Sequence, residues 1–333
     1  MADWGELVGE FTATPDDEKT EWLGTKLSSA LAEVSRIRGG NNVLVYASAF
    51  LQKPEAPPAK FMIMPEDLNG FMAVIHGMDF DKPLTIVLHT SGGVTTAAET
   101  IVSYIRSKFP SIEVIVPAFA MSAGTMIALG SDRIWMGRQS QLGPIDPQFP
   151  VPGGSQVSAR AVVEQFEVAR LEILGDRENK IFPSPEAARV WSPILGSLGP
   201  SLLVQAQDAI KFSERMVSNW LGSYMFRDIE DDKKRKDLAQ KTAHYFADST
   251  THKDHGRRID REEARNNGVK IENFDGPGLQ ELQEAILTLY HVITISFENT
   301  FVTKLIARDH IHQWIKNWAP PGFVTQQAPP RQN

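Results

Sequence analysis

A serine in a turn of small residues is the strongest candidate for chemistry in this sequence. Ser122 is followed by Ala123, Gly124 and Thr125, at a point where an apolar β-type run gives way to a helical pattern. A helix N-terminus offers unpaired N–H groups and the positive end of the helix dipole, and both favour negative charge near the serine oxygen. The pattern therefore predicts that Ser122 is a nucleophile, with the backbone N–H of Ala123 directed at the same place.

A second turn, Gly92-Gly93, offers the complementary group. Two residues without side chains allow the backbone to approach a substrate carbonyl and to turn an N–H group toward it. Together the two turns would form an oxyanion hole, in which the loss of one donor typically costs roughly 100- to 1000-fold in rate. Each turn alone is also a common packing device, and the spacing alone does not separate a hydrolase from a fold that only polarises carbonyls.

Alternating strands and helices would position the two turns. Three apolar strands and two helices follow one another at residues 84–90, 95–108, 112–117, 125–129 and 132–136. This order is typical of βαβ crossovers and predicts an α/β fold with a parallel sheet. In such sheets ligand sites gather at the carboxyl ends of the strands, which is where both turns lie.

The rest of the chain is predicted to be mainly helical. Amphipathic helical patterns occupy residues 16–38, 159–174, 185–198, 202–224, 231–246 and 279–305, and a β-type run occupies 42–51. We therefore divide the sequence into an N-terminal helix (1–40), a central domain (41–272) with a helical insertion at about 159–246, a C-terminal helical extension (273–318) and a disordered Pro- and Gln-rich tail (319–333).

Composition excludes several function classes. The 333 residues are 42% hydrophobic and 23% charged, as expected for a globular chain with a sizeable core. The formal net charge of -7 provides no basic field to hold nucleic acid. Cysteine is absent, which excludes disulfides, thiolate catalysis and cysteine-ligated metal centres. We expect a cytoplasmic protein without a signal peptide or membrane span, and no cofactor or metal is implied.

Four segments carry a resemblance to a known superfamily. Residues 88–97 (LHTSGGVTTA) resemble the glycine-rich strand end of Clp-protease-like serine peptidases and signal peptide peptidase A. Residues 116–134 (VPAFAMSAGTMIALGSDRI) are similar to the nucleophile segment of the same proteins. Residues 140–148 (SQLGPIDPQ) most resemble the soluble branch called serine dehydrogenase proteinases. Residues 256–269 resemble, more loosely, the closing helix-and-strand segment of the fold.

The resemblance implies a Clp/crotonase-type spiral of βαβ units with a largely helical C-terminal half. It implies a serine endopeptidase that acts on peptide or protein substrates through an acyl-enzyme on Ser122. The oxyanion donors would come from Gly92, Gly93, Val94 and Ala123. It also implies a homo-oligomer, and because no P-loop motif is present, any ATP-driven unfoldase or adaptor would be a separate partner.

The general base departs from the pattern of the relatives. Clp proteases carry a histidine about 25 residues beyond the serine, whereas this neighbourhood holds Asp146, and no histidine lies between His89 and His244. Signal peptide peptidase relatives use a lysine. The matching region here offers Arg160, which cannot act as a base because it stays protonated, and, further on, Lys180.

An exchanged triad would supply the missing base. His252 and His255 lie just before residue 256, near the position where Clp proteases carry the triad aspartate. We hypothesise that one of these histidines takes the proton of Ser122 while Asp146 orients its ring, since triads recur in different chain orders. Lys180 is the alternative base. Two other functions remain open: a crotonase-like acyl-transfer enzyme, and a catalytically inactive oligomeric scaffold that binds peptides or proteins.

Overall fold

The computed structural model describes residues 4–150, 156–176, 178–179, 181–199 and 201–322. Its strands are β1 Asn42–Ser48, β2 Leu84–His89, β3 Ile112–Val116, β4 Phe119–Ala120, β5 Arg133–Met136, β6 Gln141–Leu142, β7 Gln148–Pro150, β8 Gln156–Ser158, β9 Ile271–Asn273, β10 Val302–Ala307 and β11 Gln313–Asn317. Seven of them form one sheet in the order β11-β10-β1-β2-β3-β5-β9.

Twelve α-helices are present in the described residues: α1 Trp4–Ala13, α2 Lys19–Ile37, α3 Asp67–Ile75, α4 Thr95–Arg106, α5 Ala123–Leu129, α6 Ala159–Leu174, α7 Pro185–Leu198, α8 Leu202–Trp220, α9 Asp232–Ala247, α10 Ser249–His252, α11 Arg261–Asn266 and α12 Gln280–Asn299. A short 3-10 helix, Pro58–Lys60, precedes α3, and a π-helical turn, Leu221–Met225, continues α8.

The sheet is parallel from β1 to β9 and antiparallel at the other edge, where β10 pairs with β1 and β11 with β10. Successive side chains of a strand point to opposite faces, so the sheet divides two apolar cores. In β2, Ile86 and Leu88 belong to the core that α3, α4, α5, α8 and α9 cover, whereas Val87 belongs to the core that α1, α2 and α12 cover. The architecture is therefore a three-layer α/β/α sandwich, and the predicted α/β class with βαβ units is confirmed.

The C-terminal region differs from the expectation of a helical extension. The helix expected over 279–305 ends at Asn299, and the chain then forms the β10–β11 hairpin at the edge of the main sheet. Leu305, Ile306 and Ala307 are all buried, on alternating faces of the sheet. A continuous apolar run of this length fits a buried strand and a buried helix equally well, which is why its periodicity did not reveal the strand.

The other differences are smaller. A helix not expected from the sequence, α1, precedes α2, and it buries Leu7 and Phe11. The predicted insertion contains α6 to α9, of which α8 and α9 pack on the main core through residues such as Trp220 and Phe246. Most of the tail predicted to be disordered, residues 323–333, lies outside the described residues. No helix within the described ranges has both the length and the apolar character needed to cross a bilayer.

Candidate active site

Ser122 occupies a sharp turn between β4 and α5. Its backbone has φ 51° and ψ -118°, and among the described non-glycine residues only Lys253 shares a positive φ. Such a conformation costs on the order of 1–3 kcal/mol and persists only where the surroundings fix it. Here the Ser122 carbonyl accepts the Met126 N–H at 3.1 Å, and the Gly124 N–H donates to Met121 at 2.8 Å. The turn sets the partly exposed serine at the very start of a helix.

Gly92 packs directly against this serine turn. Its φ is +98°, and a Cβ atom at this position would lie 2.6 Å from the Met121 carbonyl oxygen and 2.7 Å from the Ser122 Cβ. Only a glycine satisfies both the backbone conformation and the close approach. The two turns singled out in the sequence are therefore in contact, at the carboxyl ends of β2 and β4.

The four candidate oxyanion donors differ in whether their N–H groups are free. The Gly92 N–H donates to Thr90 Oγ1 at 3.1 Å, and the Val94 N–H donates to the Ile63 carbonyl at 2.9 Å. The N–H groups of Gly93 and Ala123 have no acceptor among the described residues. Gly93 and Ala123 are thus the two donors available to a substrate oxygen.

His255 is paired with Asp146 in the way that the exchanged triad requires. Its Nδ1 lies 2.6 Å from Asp146 Oδ1, and the Asp146 side chain is only 3% exposed, against 28% for His255. The second carboxylate oxygen of Asp146 accepts a hydrogen bond from Gln148 Nε2 at 2.7 Å. An ionised carboxylate at Nδ1 selects the tautomer whose Nε2 carries a lone pair, the form that acts as a base.

His252 has no ring nitrogen left for catalysis. Its Nε2 lies 2.7 Å from the Tyr245 carbonyl oxygen, and Nδ1 lies 2.9 Å from a guanidinium nitrogen of Arg257. A carbonyl accepts and a guanidinium donates, so this histidine is neutral with its proton on Nε2. Burial lowers its pKa, which favours the same neutral form. The position of His252 therefore suits a residue that braces the loop carrying His255.

The segment after β5 joins the serine turn to this loop. The Gly143 N–H donates to Thr125 Oγ1 at 2.9 Å, and a Cβ on Gly143 would lie 2.6 Å from Met121 Cε. Leu142 exchanges two backbone hydrogen bonds with Ile259, each of 2.9 Å. Ser122 and His255 are not hydrogen-bonded to each other. An open cleft of about 570 Å³ lies beside Asp146 and His255, lined by β7, β8 and the start of α6, and Ser122 is not among its lining residues.

Comparison with known proteins gives a family match for part of the chain. Residues 32–176 match the family model of the ClpP-like SDH-type serine proteinase. The matched segment covers less than half of the chain and is similar to the SDH-type family. The resemblance found in the sequence is thereby confirmed. The SDH-type segment contains Gly93, Ser122, Ala123 and Asp146, whereas His252 and His255 lie beyond it, so the family match leaves the base unassigned.

Two curated relatives come from Methanocaldococcus jannaschii. MJ0137, an uncharacterized protein, is 39% identical over 99 residues, which cover 29% of this chain and 34% of the relative. MJ1495, also uncharacterized, is 30% identical over 137 residues, which cover 41% of this chain and 45% of the relative. The chain thus spans less than half the length of either relative.

Solved structures show a distant likeness to this chain. A mutant of the 1510-N membrane-bound stomatin-specific protease covers 67% of this chain and 79% of its own, with 17% identity and a TM-score of 0.37. ClpP1 from Listeria monocytogenes covers 72% of this chain and 94% of its own, with 14% identity and a TM-score of 0.31. Neither likeness bears on the reaction.

The remaining candidates have simpler positions. Lys180 lies outside the described residues. Arg160 faces Asp248, 3.7 Å away, which is a surface ion pair. Within the described part of the chain, no cluster of three or more His, Asp or Glu side chains could hold a metal ion.

Two residues at the site were not predicted from the sequence. Gln148 is a partner of Asp146, and the Asp-Pro-Gln run contained it. Ile63 contacts the glycine turn, and no motif marked it.

Proposed function

We propose that this protein is a serine endopeptidase that hydrolyses peptide bonds through an acyl-enzyme on Ser122. In this proposal His255 is the general base and Asp146 orients it. The observation that carries the proposal is the 2.6 Å contact between His255 Nδ1 and a buried Asp146, in a chain whose SDH-type segment contains the serine turn. Because both ring nitrogens of His252 are engaged, His255 is preferred as the base.

The reaction would follow the logic of other serine peptidases. Ser122 Oγ attacks the scissile carbonyl carbon as His255 Nε2 removes the hydroxyl proton, and the carbonyl electron pair moves to oxygen. The N–H groups of Gly93 and Ala123 donate to this oxyanion. The tetrahedral intermediate expels the amine, which takes the proton from His255, and leaves an ester on Ser122. Water, deprotonated by His255, then hydrolyses the ester and restores the serine.

Contact between Ser122 and His255 must form during this cycle. Hydrogen bonds between catalytic groups are often long or poorly aligned without substrate and tighten in the complex. The His255 side chain lies in a loop at the edge of the open cleft, where a bound peptide would contact it. We infer that peptide binding in this cleft brings Nε2 toward the serine.

Active-site labelling tests the proposal. A fluorophosphonate should add once to the wild-type protein and not to Ser122→Ala, as measured by intact mass. In His255→Gln the labelling rate should fall by about 1000-fold or more, because a triad without its base loses most of its activation. His252→Gln is the matched control in the same loop, and we expect it to keep most of the rate.

Two outcomes would contradict the assignment. Labelling of His255→Gln at the wild-type rate would exclude this base, and loss of labelling in Lys180→Met would transfer the role to the lysine. The absence of any adduct in a folded wild-type sample would instead favour the inactive scaffold, a function that the missing Ser122–His255 hydrogen bond also supports. Assembly into a homo-oligomer and cooperation with a separate unfoldase belong to the same proposal.

A further inference from the structure

We propose that Asp67 is a positioning residue for the oxyanion hole and that Lys304, on the C-terminal hairpin, holds it in place. The catalytic part of this inference rests on the proposed function. Asp67 lies at the start of α3 and Lys304 in the middle of β10, 237 residues apart in sequence. Neither residue touches the Ser122, His255 and Asp146 set, so their role would be exerted through the backbone.

The first step is the buried cluster around Asp67. Lys304 Nζ lies 2.7 and 2.9 Å from its two carboxylate oxygens, and the Tyr46 hydroxyl donates to Oδ2 at 2.7 Å. All three side chains are completely buried. Burial raises the pKa of Tyr46 well above its ordinary value, so the phenol keeps its proton and remains a donor. Burial lowers the pKa of Lys304, and the Asp67 charge opposes that effect.

The second step leads from this cluster to the backbone. The Met64 N–H donates to Asp67 Oδ2 at 2.9 Å, which fixes the chain just before α3. The preceding residue, Ile63, makes two backbone hydrogen bonds to the glycine turn. Its N–H donates to the Gly92 carbonyl at 2.8 Å, and its carbonyl accepts the Val94 N–H at 2.9 Å.

The third step concerns the peptide between those two bonds. Gly93 lies between the bonded Gly92 carbonyl and the bonded Val94 N–H, and a Cβ on Gly93 would overlap the Ile63 backbone. Ile63 therefore covers one side of Gly93 and fixes both ends of its backbone. The Gly93 N–H, which has no acceptor in the described ranges, is left directed away from Ile63. A shift of Ile63 would rotate this donor.

Replacement of the buried Asp67–Lys304 ion pair can separate its effect on stability from its effect on the position of Met64. A buried ion pair is costly to desolvate, and an apolar replacement is often equally stable, so the pair is not needed for stability alone. What an apolar replacement cannot provide is an acceptor for the Met64 N–H. This difference allows the positioning role to be separated from a merely structural one.

Two double variants make that separation. Both carry Lys304→Met, so that no unpaired cation remains buried. One adds Asp67→Asn, which keeps an oxygen acceptor for Met64, and the other adds Asp67→Leu, which has the same branched shape without an acceptor. Thermal unfolding establishes that the two proteins are comparably folded. Amide hydrogen exchange of residues 61–66 and 90–95 and the kinetics of fluorophosphonate labelling are then compared.

We expect the Leu variant to exchange faster at both segments and to label about 10- to 100-fold more slowly, because small misplacements of catalytic groups cost this much. The Asn variant should restore both properties toward wild type. Equal exchange in the two variants, or equal labelling with different exchange, would overturn the inference. If the wild-type protein does not label at all, the proposed function fails, while exchange still decides whether Asp67 holds the turn.

Discussion

Two histidines, His255 and His89, lie in sharply different electrostatic environments. His255 is partly exposed and shares a hydrogen bond with a buried carboxylate, whereas His89, at the end of β2, is buried among Phe50, Phe119 and Tyr290. Both ring nitrogens of His89 are buried without a hydrogen-bond partner in the described part of the chain. Burial lowers the pKa of His89 to about 3. A histidine in this setting stays neutral and contributes packing, not proton transfer.

The pKa of His89 predicts an acid dependence of stability. The folded-state pKa of about 3 lies below the value of 6.5 expected in the unfolded chain, so only the unfolded state takes up this proton as the pH falls between them. From pH 7 to pH 5 the wild-type free energy of unfolding should therefore drop by roughly 2 kcal/mol more than that of His89→Leu. Urea unfolding at both pH values measures the difference. The exposed His76→Leu variant is the control, and its free energy of unfolding should drop as much as that of wild type. An equal drop for His89→Leu and wild type would contradict the prediction.

At the scale of elements, the site is a junction of turns. The turn after β2 touches the turn before α5, and the strand-like segment at Ile63 closes the other side of Gly93. The segment after β5 then connects the serine turn to the loop of His255 through Leu142 and Ile259. Each connection involves main-chain groups, so the geometry depends strongly on the close approach of main chains.

Substitution of Gly92 tests whether the reactivity of Ser122 depends on the close approach of the two turns. In Gly92→Ala the new methyl group would overlap the Met121 carbonyl and Ser122, so labelling of Ser122 should fall by at least about 100-fold. Gly77→Ala is the matched control, since Gly77 also has a positive φ, of +77°, but has nothing within 4 Å of its Cβ position. It should lose roughly 1–2 kcal/mol of stability for the backbone conformation and keep its labelling rate. Labelling of Gly92→Ala at the wild-type rate would contradict this prediction, because the two turns could then move apart without loss of Ser122 reactivity.

Sequence could reveal the local parts of this junction and not the long-range ones. The apolar run of β2 and the small residues around Ser122 predicted a strand and a helix start because both patterns are local. His252 and His255 share one polar loop, so spacing could not tell which ring faces Asp146. The pairing of Asp67 with Lys304 depends on how β10 enters the sheet, and the apolar run at 305–307 concealed that strand.

At the scale of the whole molecule, the α6–α8 region leaves much apolar surface open. None of the α7 residues is buried, and Phe182, Leu174 and Val190 are 85%, 66% and 63% exposed. Large exposed apolar side chains, where they form a patch, mark interaction sites. Since the proposed function includes a homo-oligomer, a second copy of the chain is the partner that we expect here.

Sedimentation velocity tests this expectation. Wild-type protein should sediment as a multiple of the 37.0 kDa chain, and the double variant Leu174→Ser/Phe182→Ser should shift toward the monomer because it removes two exposed apolar side chains. Ile311→Ser is the control, since Ile311 is 72% exposed in the loop between β10 and β11, far along the chain from α6–α8. An unchanged mass in the double variant, or a monomeric wild type, would contradict the proposal.

The placement of β10 has a consequence for synthesis. Ser122, Gly93 and Asp146 leave the ribosome well before Lys304, and Asp67 lacks its cationic partner until β10 pairs with β1. A nascent chain therefore carries its serine turn throughout the synthesis of the segment from Ser122 to Lys304 with the support of Ile63 unfinished. Full reactivity would arise only when the β10–β11 hairpin folds onto the sheet, which would limit the cutting of neighbouring nascent polypeptides before that point.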